Sequence, residues 1–253
     1  MRYFLKLAYS GSPFHGWQSQ PNAVSVQQSV EDALSTITRK PIQIVGAGRT
    51  DTGVNANIMY AHFDVDAAID DKQKFILSLN RLCGPAIAID NLLDVTNDAH
   101  ARFDATEREY RYFVSFSKSP FLSNISWLSP TKLKTDEMNE AAKVLLATKD
   151  FTSFAKLHSD AKTNLCDVRE AVWKEWKNEY QIPGIVFIIK SDRFLRNMVR
   201  AVVGTLIDVG RGKISISDFK EIIDSKNRCS AGISMPPHAL FLWDIKYPQR
   251  IFL

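Results

Sequence analysis

Residues Gly46–Ala56 read GAGRTDTGVNA, and how this stretch is understood decides how the first half of the chain is built. It follows a short apolar run, Ile42–Val45, and holds three glycines, one arginine, two threonines and a single carboxylate. A glycine-rich turn after a strand first suggests a phosphate cradle. The dinucleotide fingerprint GxGxxG needs glycine at position 51, where this chain has Asp51, and no GxxxxGK(S/T) pattern occurs anywhere. A carboxylate at that point repels phosphate, so the stretch is better read as a strand–turn–strand that presents Asp51. Glycine permits positive φ and close approach of another chain. An arginine two residues away can hold an aspartate ionised and aimed. That suits a nucleophile or general base, whereas an Asp beside Gly also caps turns through its own backbone. Local chemistry leaves both roles open.

Working outward, Tyr3, Leu5, Leu7 and Tyr9 alternate as an opening strand, which Gly11-Ser12-Pro13 breaks. Ser25 with Gln28 three residues on has the form of a capping box, ahead of a helical stripe of Val26, Val30, Ala33, Leu34 and Ile37. Ile42–Val45 is expected as the second strand and Asn57–Val65 as the third. A helix over Lys72–Leu82 ends at Gly84-Pro85, and strands follow at Ile87–Val95 and Glu109–Phe116. Phe121–Lys134 and Lys149–Thr163 read as loops, with a helix capped by Thr135 or Asp136 between them. Strands at Val168–Trp176 and Ile185–Ser191 turn at Pro183-Gly184. Helices are expected over Phe194–Val209 and Ser217–Lys226, and Leu240–Tyr247 closes as a strand. Helices alternating with single strands and hairpins give an α+β class with a mostly antiparallel sheet flanked by helices. A join near residues 104–108 divides the chain into two related halves, 1–105 and 106–253.

Composition sets the bounds. A chain of 253 residues with 45% hydrophobic and 24% charged content is an ordinary globular protein with a sizeable core. Its net charge of +4 permits a nucleic-acid partner without requiring one. Cys83, Cys166 and Cys229 are scattered, odd in number and without a CxxC pair, which fits a reducing cytoplasmic location and argues against disulfides or cysteine-bound zinc. There is no signal-peptide core, and no apolar run reaches membrane-spanning length. The five histidines lack metal-ligand spacing, and no GxSxG elbow is present.

Three further stretches carry chemistry. In REYRYFV, Arg108, Tyr110 and Tyr112 share one strand face while Glu109, Arg111 and Phe113 share the other. Interleaved aromatics and arginines suit stacking on bases and pairing with phosphates, and they equally suit a half-buried edge strand. In RFLRNMVRAVVGTL, Arg193, Arg196 and Arg200 recur at helical spacing, a face fit to attract an anion or simply to be solvated. FHGWQSQP places Trp17 beside His15 and Gln18, either as core or as a nucleotide contact.

FHGWQSQP, SVQQSVEDAL, GAGRTDTGVNA, HARFDATEREYRY, DFTSFAK, FLRNMVRAVVGTL and MPPHALFLWDIKYP, taken in order, resemble the tRNA pseudouridine synthase A family over nearly the whole chain. The GRTDxGV core is the most specific of these. The resemblance implies two α+β halves meeting along a continuous sheet with a central basic cleft. It implies a cytoplasmic homodimer that grips tRNA, uses no cofactor or metal, and isomerises uridine on the 3′ side of the anticodon stem-loop, tRNA positions 38–40. By that likeness Asp51 matches the catalytic aspartate. Tyr110, Arg49 and Arg200 match substrate-binding positions, with Tyr110 packing on the uracil and Arg200 pairing with the aspartate.

The chain departs from the family pattern at Asn55, where histidine is usual, and at Arg81-Leu82-Cys83-Gly84. It also departs at Cys166, where arginine is expected, and at Ala239, where glycine is expected. These departures bear on which uridines are chosen and keep a catalytically weakened tRNA-binding protein as the alternative. A metal-dependent nuclease using Asp51 is a third reading, disfavoured by the absence of a second acid in the motif.

Overall fold

The opening strand forms where the alternation of apolar residues places it. β1 spans Arg2–Tyr9, α1 Val26–Thr38, β2 Val45–Gly46, β3 Asn55–Asp64, α2 Lys72–Leu82 and β4 Ile87–Asp94. The computed structural model describes residues 1–157 and 162–253. These fall into two compact units, Met1–Glu107 with Leu242–Leu253, and Arg108–Phe241. In the first unit β1 is central. It pairs antiparallel with β3, Leu5 opposite Ala61 and Leu7 opposite Met59, and with β4 on its other side, Leu5 opposite Leu92. β2 pairs antiparallel with β3 on the far side. α1 buries Val26, Val30, Ala33 and Leu34, and α2 buries Ile76 and Leu79.

Capping explains both helix starts. Ser25 Oγ accepts from Gln28 N at 3.2 Å, and Asp71 Oδ1 accepts from Lys74 N at 2.9 Å. Only half of the expected capping box forms at α1, because the Gln28 amide turns away and donates to Asp32 Oδ1. The second strand is shorter than expected, and α1 is the reason. Ile42 N donates to Ser35 Oγ and Ile44 N to Glu31 Oε1, both at 2.9 Å, while Ile44 O accepts from Gln27 Nε2. Helix side chains thus take the backbone groups that a sheet ladder would use.

In the second unit β5 (Glu107–Ser115) and β8 (Gly184–Ser191) pair antiparallel, and β8 pairs antiparallel with β7 (Val168–Glu175). β6 (Trp127–Leu128) adds a short parallel contact to β5 inside the segment expected as loop. The helices are α3 (Thr135–Ala147), α4 (Met198–Gly210) and α5 (Ile216–Asp224). α3 begins after Lys134, with no side-chain cap, rather than from Thr135 or Asp136. α5 carries the full reciprocal box, Ser215 with Asp218. Residues 158–161 of the loop expected at Lys149–Thr163 lie outside the described residues.

The helix expected over Phe194–Val209 starts at Met198 instead. Asn197 sits in the left-handed region at φ 66°. Lys156 N donates to Arg196 O at 3.0 Å, occupying the carbonyl that a longer helix would use for its own ladder. Of Arg193, Arg196 and Arg200, only Arg200 is helical, so the three do not form one stripe.

The last strand, β9 (Leu240–Lys246), neighbours β3 in the first unit. Beyond it the chain returns to the first unit's edge: Thr96 N donates to Ile251 O, Leu253 N donates to Asp94 O, and the Phe252 ring meets Phe4 edge-on. The α+β class and the largely antiparallel pairing follow the sequence reading.

Candidate active site

Asp51 is half-buried, following Arg49, which is exposed, and Thr50, which is buried. The loop around it is stitched to the segment that follows β1. The hydroxyls of Tyr9 and Thr50 share a buried hydrogen bond of 2.8 Å. Trp17 N donates to Thr50 O at 3.2 Å, and Gly53 N donates to Phe14 O at 3.4 Å. Asn55 Oδ1 accepts from Gly11 N at 2.8 Å. Within the loop, Val54 N donates to Asp51 O at 3.1 Å. Asn55, where the family pattern has histidine, therefore serves as a buried staple between the two segments.

Glycine is required twice on the facing side. A Cβ at Gly16, whose φ is +92°, would lie 2.6 Å from Thr50 O and 3.3 Å from the carbonyl carbon of Asp51. A Cβ at Gly11 would lie 2.2 Å from Val54 O. Trp17 is not an exposed nucleotide contact: it is 2% exposed, and its indole lies flat where a Cβ at Gly46 would come within 2.5 Å of it. The backbone on both sides of Asp51 is thereby fixed by neighbours that cannot easily give, which is what aims a short carboxylate.

In the second unit Tyr110 is half-buried on β5, opposite Ile189, with its ring held edge-to-face by Phe194 at 5.0 Å and 85°. Arg108, on the same face, donates from Nη1 to Asp192 O at 2.7 Å. The opposite face is an ion-pair network. The buried Glu109 carboxylate receives Arg111 Nε at 2.6 Å and Lys190 Nζ at 3.7 Å, and Lys190 also meets Glu170 at 2.6 Å. Arg111 is thus committed to that network. Tyr112 is fully buried, its phenol pushed far above the ordinary tyrosine range by burial and drawn back in part by the Arg200 charge. Its hydroxyl donates to Pro236 O at 3.1 Å.

Arg200 is pinned at both ends of its residue. Its Nε donates to Met235 O at 2.5 Å, and its own carbonyl accepts from Met235 N at 3.1 Å. The segment Ile233–Pro236 runs close to α4 because position 204 is glycine; a Cβ there would stand 1.9 Å from Ile233 O. Asn197 Nδ2 and Arg228 Nη2 both donate to Ser234 Oγ, at 2.6 and 2.9 Å. Tyr110 and Arg200 are therefore held by separate braces, Phe194 and Met235.

Sequence reasoning missed Tyr9, Gly11, Gly16 and the Ile233–Pro236 brace as parts of the site. The signal available for them was the glycine in FHGW and the double proline of MPPH. No group of three or more metal-binding side chains occurs among the described residues, and no helix there is long and apolar enough to cross a membrane.

The family model described as tRNA pseudouridine synthase matches residues 141–248. A tRNA pseudouridine synthase A of Parabacteroides distasonis is 50% identical over 99% of this chain and 98% of its own length. The protein of the same name from Bacteroides fragilis is likewise 50% identical over 99% and 98%. That of Porphyromonas gingivalis is 49% identical over 100% and 99%.

Proposed function

The chain belongs to the tRNA pseudouridine synthase A family, and on that footing we propose that it isomerises uridine to pseudouridine in the anticodon stem-loop of tRNA, with Asp51 as the catalytic carboxylate. The observation that carries this reading is a likeness that runs the full length of the chain. The seating of the Asp51 loop supports it, because catalysis at a sugar carbon needs a carboxylate fixed to a fraction of an ångström.

The reaction breaks the N1–C1′ bond, turns the uracil while it stays bound, and joins C5 to C1′. The proton on C5 leaves and N1 ends protonated, so nothing is oxidised and no group is supplied from outside. The Asp51 carboxylate acts at the ribose, by adding to C1′, by removing the C2′ proton or by stabilising charge at C1′. Tyr110 packs on the uracil, and it or a neighbouring water takes the C5 proton. Arg49 and Arg200 bind the substrate.

The uridine must leave its stack to be reached, at a cost of a few kcal/mol. An aromatic face worth about 1–3 kcal/mol per base offsets much of that. The catalytic loop comes from the half 1–105, and the tyrosine strand and arginine helix come from 106–253. The working form is a homodimer in the cytoplasm.

Tritium release from tRNA labelled at uridine C5 tests the reading. The wild-type chain releases tritium, and Asp51→Asn binds tRNA but releases none. Full turnover by Asp51→Asn removes the carboxylate from the chemistry. Binding without release by the wild type favours the catalytically weakened tRNA-binding protein instead.

A further inference from the structure

The motif HARFD, His100–Asp104, is not used by the chemistry above, yet its turn is fastened at all five of its backbone N–H groups and at the carbonyls of His100 and Ala101. His100 N donates to Asp104 Oδ2 at 2.7 Å, and Asp104 N returns to His100 O at 3.0 Å. His100 Nδ1 accepts from Arg102 N at 3.1 Å and Phe103 N at 3.3 Å. His62 Nδ1, on β3, accepts from Ala101 N at 3.1 Å, and the Tyr247 hydroxyl donates to Ala101 O. Arg2 Nη1 holds Ala99 O at 2.9 Å. A turn this well tied holds its outward side chains in fixed positions, which lowers the ordering cost of binding.

Those side chains are a phenyl ring and a guanidinium. Four groups run outward from the sheet: His62, which is buried; His100, its ring 4.6 Å away; Phe103, 4.3 Å further; and Arg102, with its guanidinium carbon 5.7 Å from the Phe103 ring centre. Phe103 is 75% exposed in spite of this. A large apolar ring left open at the end of a rigid, cation-bearing turn calls for a planar partner that is also negatively charged.

We propose that Arg102 and Phe103 form an accessory RNA contact, in which an unstacked base lies on the Phe103 ring and Arg102 meets that nucleotide's phosphate. The inference rests on the reading of tRNA as substrate. The nucleotide is not the one being isomerised. The turn packs on His62, seven residues along β3 from Asn55 beside the Asp51 loop; at about 3.3 Å per residue this is roughly 20 Å. The platform therefore governs affinity and the choice of tRNA, not the chemical step.

Binding of the full chain to tRNA, measured across a salt series, tests this. Phe103→Ala is expected to weaken binding about ten-fold with an unchanged salt slope, and Phe103→Trp to restore it. Arg102→Gln is expected to reduce the slope of log K against log salt by about one. Both variants keep the wild-type melting temperature and the wild-type single-turnover rate at saturating tRNA. Wild-type affinity in Phe103→Ala and Arg102→Gln overturns the proposal. A change in self-association with unchanged tRNA affinity also overturns it and assigns the surface to a second copy of the chain. If the wild type itself does not bind tRNA, the functional reading fails first.

Discussion

Replacing Gly16 by alanine should slow catalysis while leaving tRNA binding nearly intact. The new Cβ would lie 2.6 Å from Thr50 O, where 3.0 Å is the closest approach real Cβ atoms make and 3.4 Å an ordinary contact. The atom that it meets is backbone, so the Asp51 loop must retreat by about 0.4–0.8 Å. A φ of +92° adds strain of about 1 kcal/mol or more for any residue with a side chain. The loop has little slack, because Tyr9, Phe14 and Trp17 hold it from the same side. A misplacement approaching 1 Å at a reacting group costs on the order of a hundred-fold in rate. The expected outcome is a single-turnover tritium-release rate reduced about that much, with tRNA affinity within about three-fold of wild type. A wild-type rate in Gly16→Ala, with the protein fully folded, would show that the seating of the loop does not govern the chemistry.

The hydroxyl pair at Thr50 and the buried His62 each give further expected outcomes. Tyr9→Phe removes the partner of a buried threonine hydroxyl, at a cost of about 1–3 kcal/mol in stability, and should lower kcat roughly ten-fold with KM little changed; Thr50→Ser should retain far more activity than Thr50→Val, and equal activity of those two would refute the role of the hydroxyl pair. Burial lowers His62 from its ordinary 6.5 to about 4, so between those values the unfolded chain takes up a proton that the folded chain refuses. Stability therefore falls as pH falls through that window, by about 3 kcal/mol at its foot, and His100, also lowered, acts in the same direction. His62→Asn, which offers an oxygen to Ala101 N and does not titrate, should flatten the melting temperature between pH 6.5 and 4, and parallel curves for the two proteins would remove His62 as the cause.

Much of this was legible where local rules and tertiary structure agree. α2 begins and ends as read because Asp71 caps it and Gly84, at φ +73°, follows its last turn. β1 is legible because one face of an alternating strand is buried. Legibility failed where a distant side chain claimed the backbone. Ile42–Ile44 is apolar enough for a strand, yet Ser35 and Glu31 take its N–H groups. Apolar periodicity runs unbroken from Phe194, yet Lys156 takes the carbonyl that would extend α4. The Asp51 loop was readable from its own residues. Its supports were not, because Tyr9, Gly11 and Gly16 meet it only after β1 and β3 have paired across 47 to 62 residues of sequence. Trp17 was left open between core and nucleotide contact for the same reason: nothing local reveals that Gly46 leaves room to bury an indole.

The return of residues 242–253 to the first unit sets an order of events during synthesis. Phe4, on β1, leaves the ribosome early and must wait for Phe252 and Tyr247, which cover its ring. At about 5–20 residues per second, the intervening unit takes on the order of ten seconds to emerge. Over that interval the earlier-made unit stands with an apolar edge uncovered. The nascent chain is then most exposed to holding factors at the segment translated first, and a chain ending short of residue 242 would leave that segment unable to finish folding.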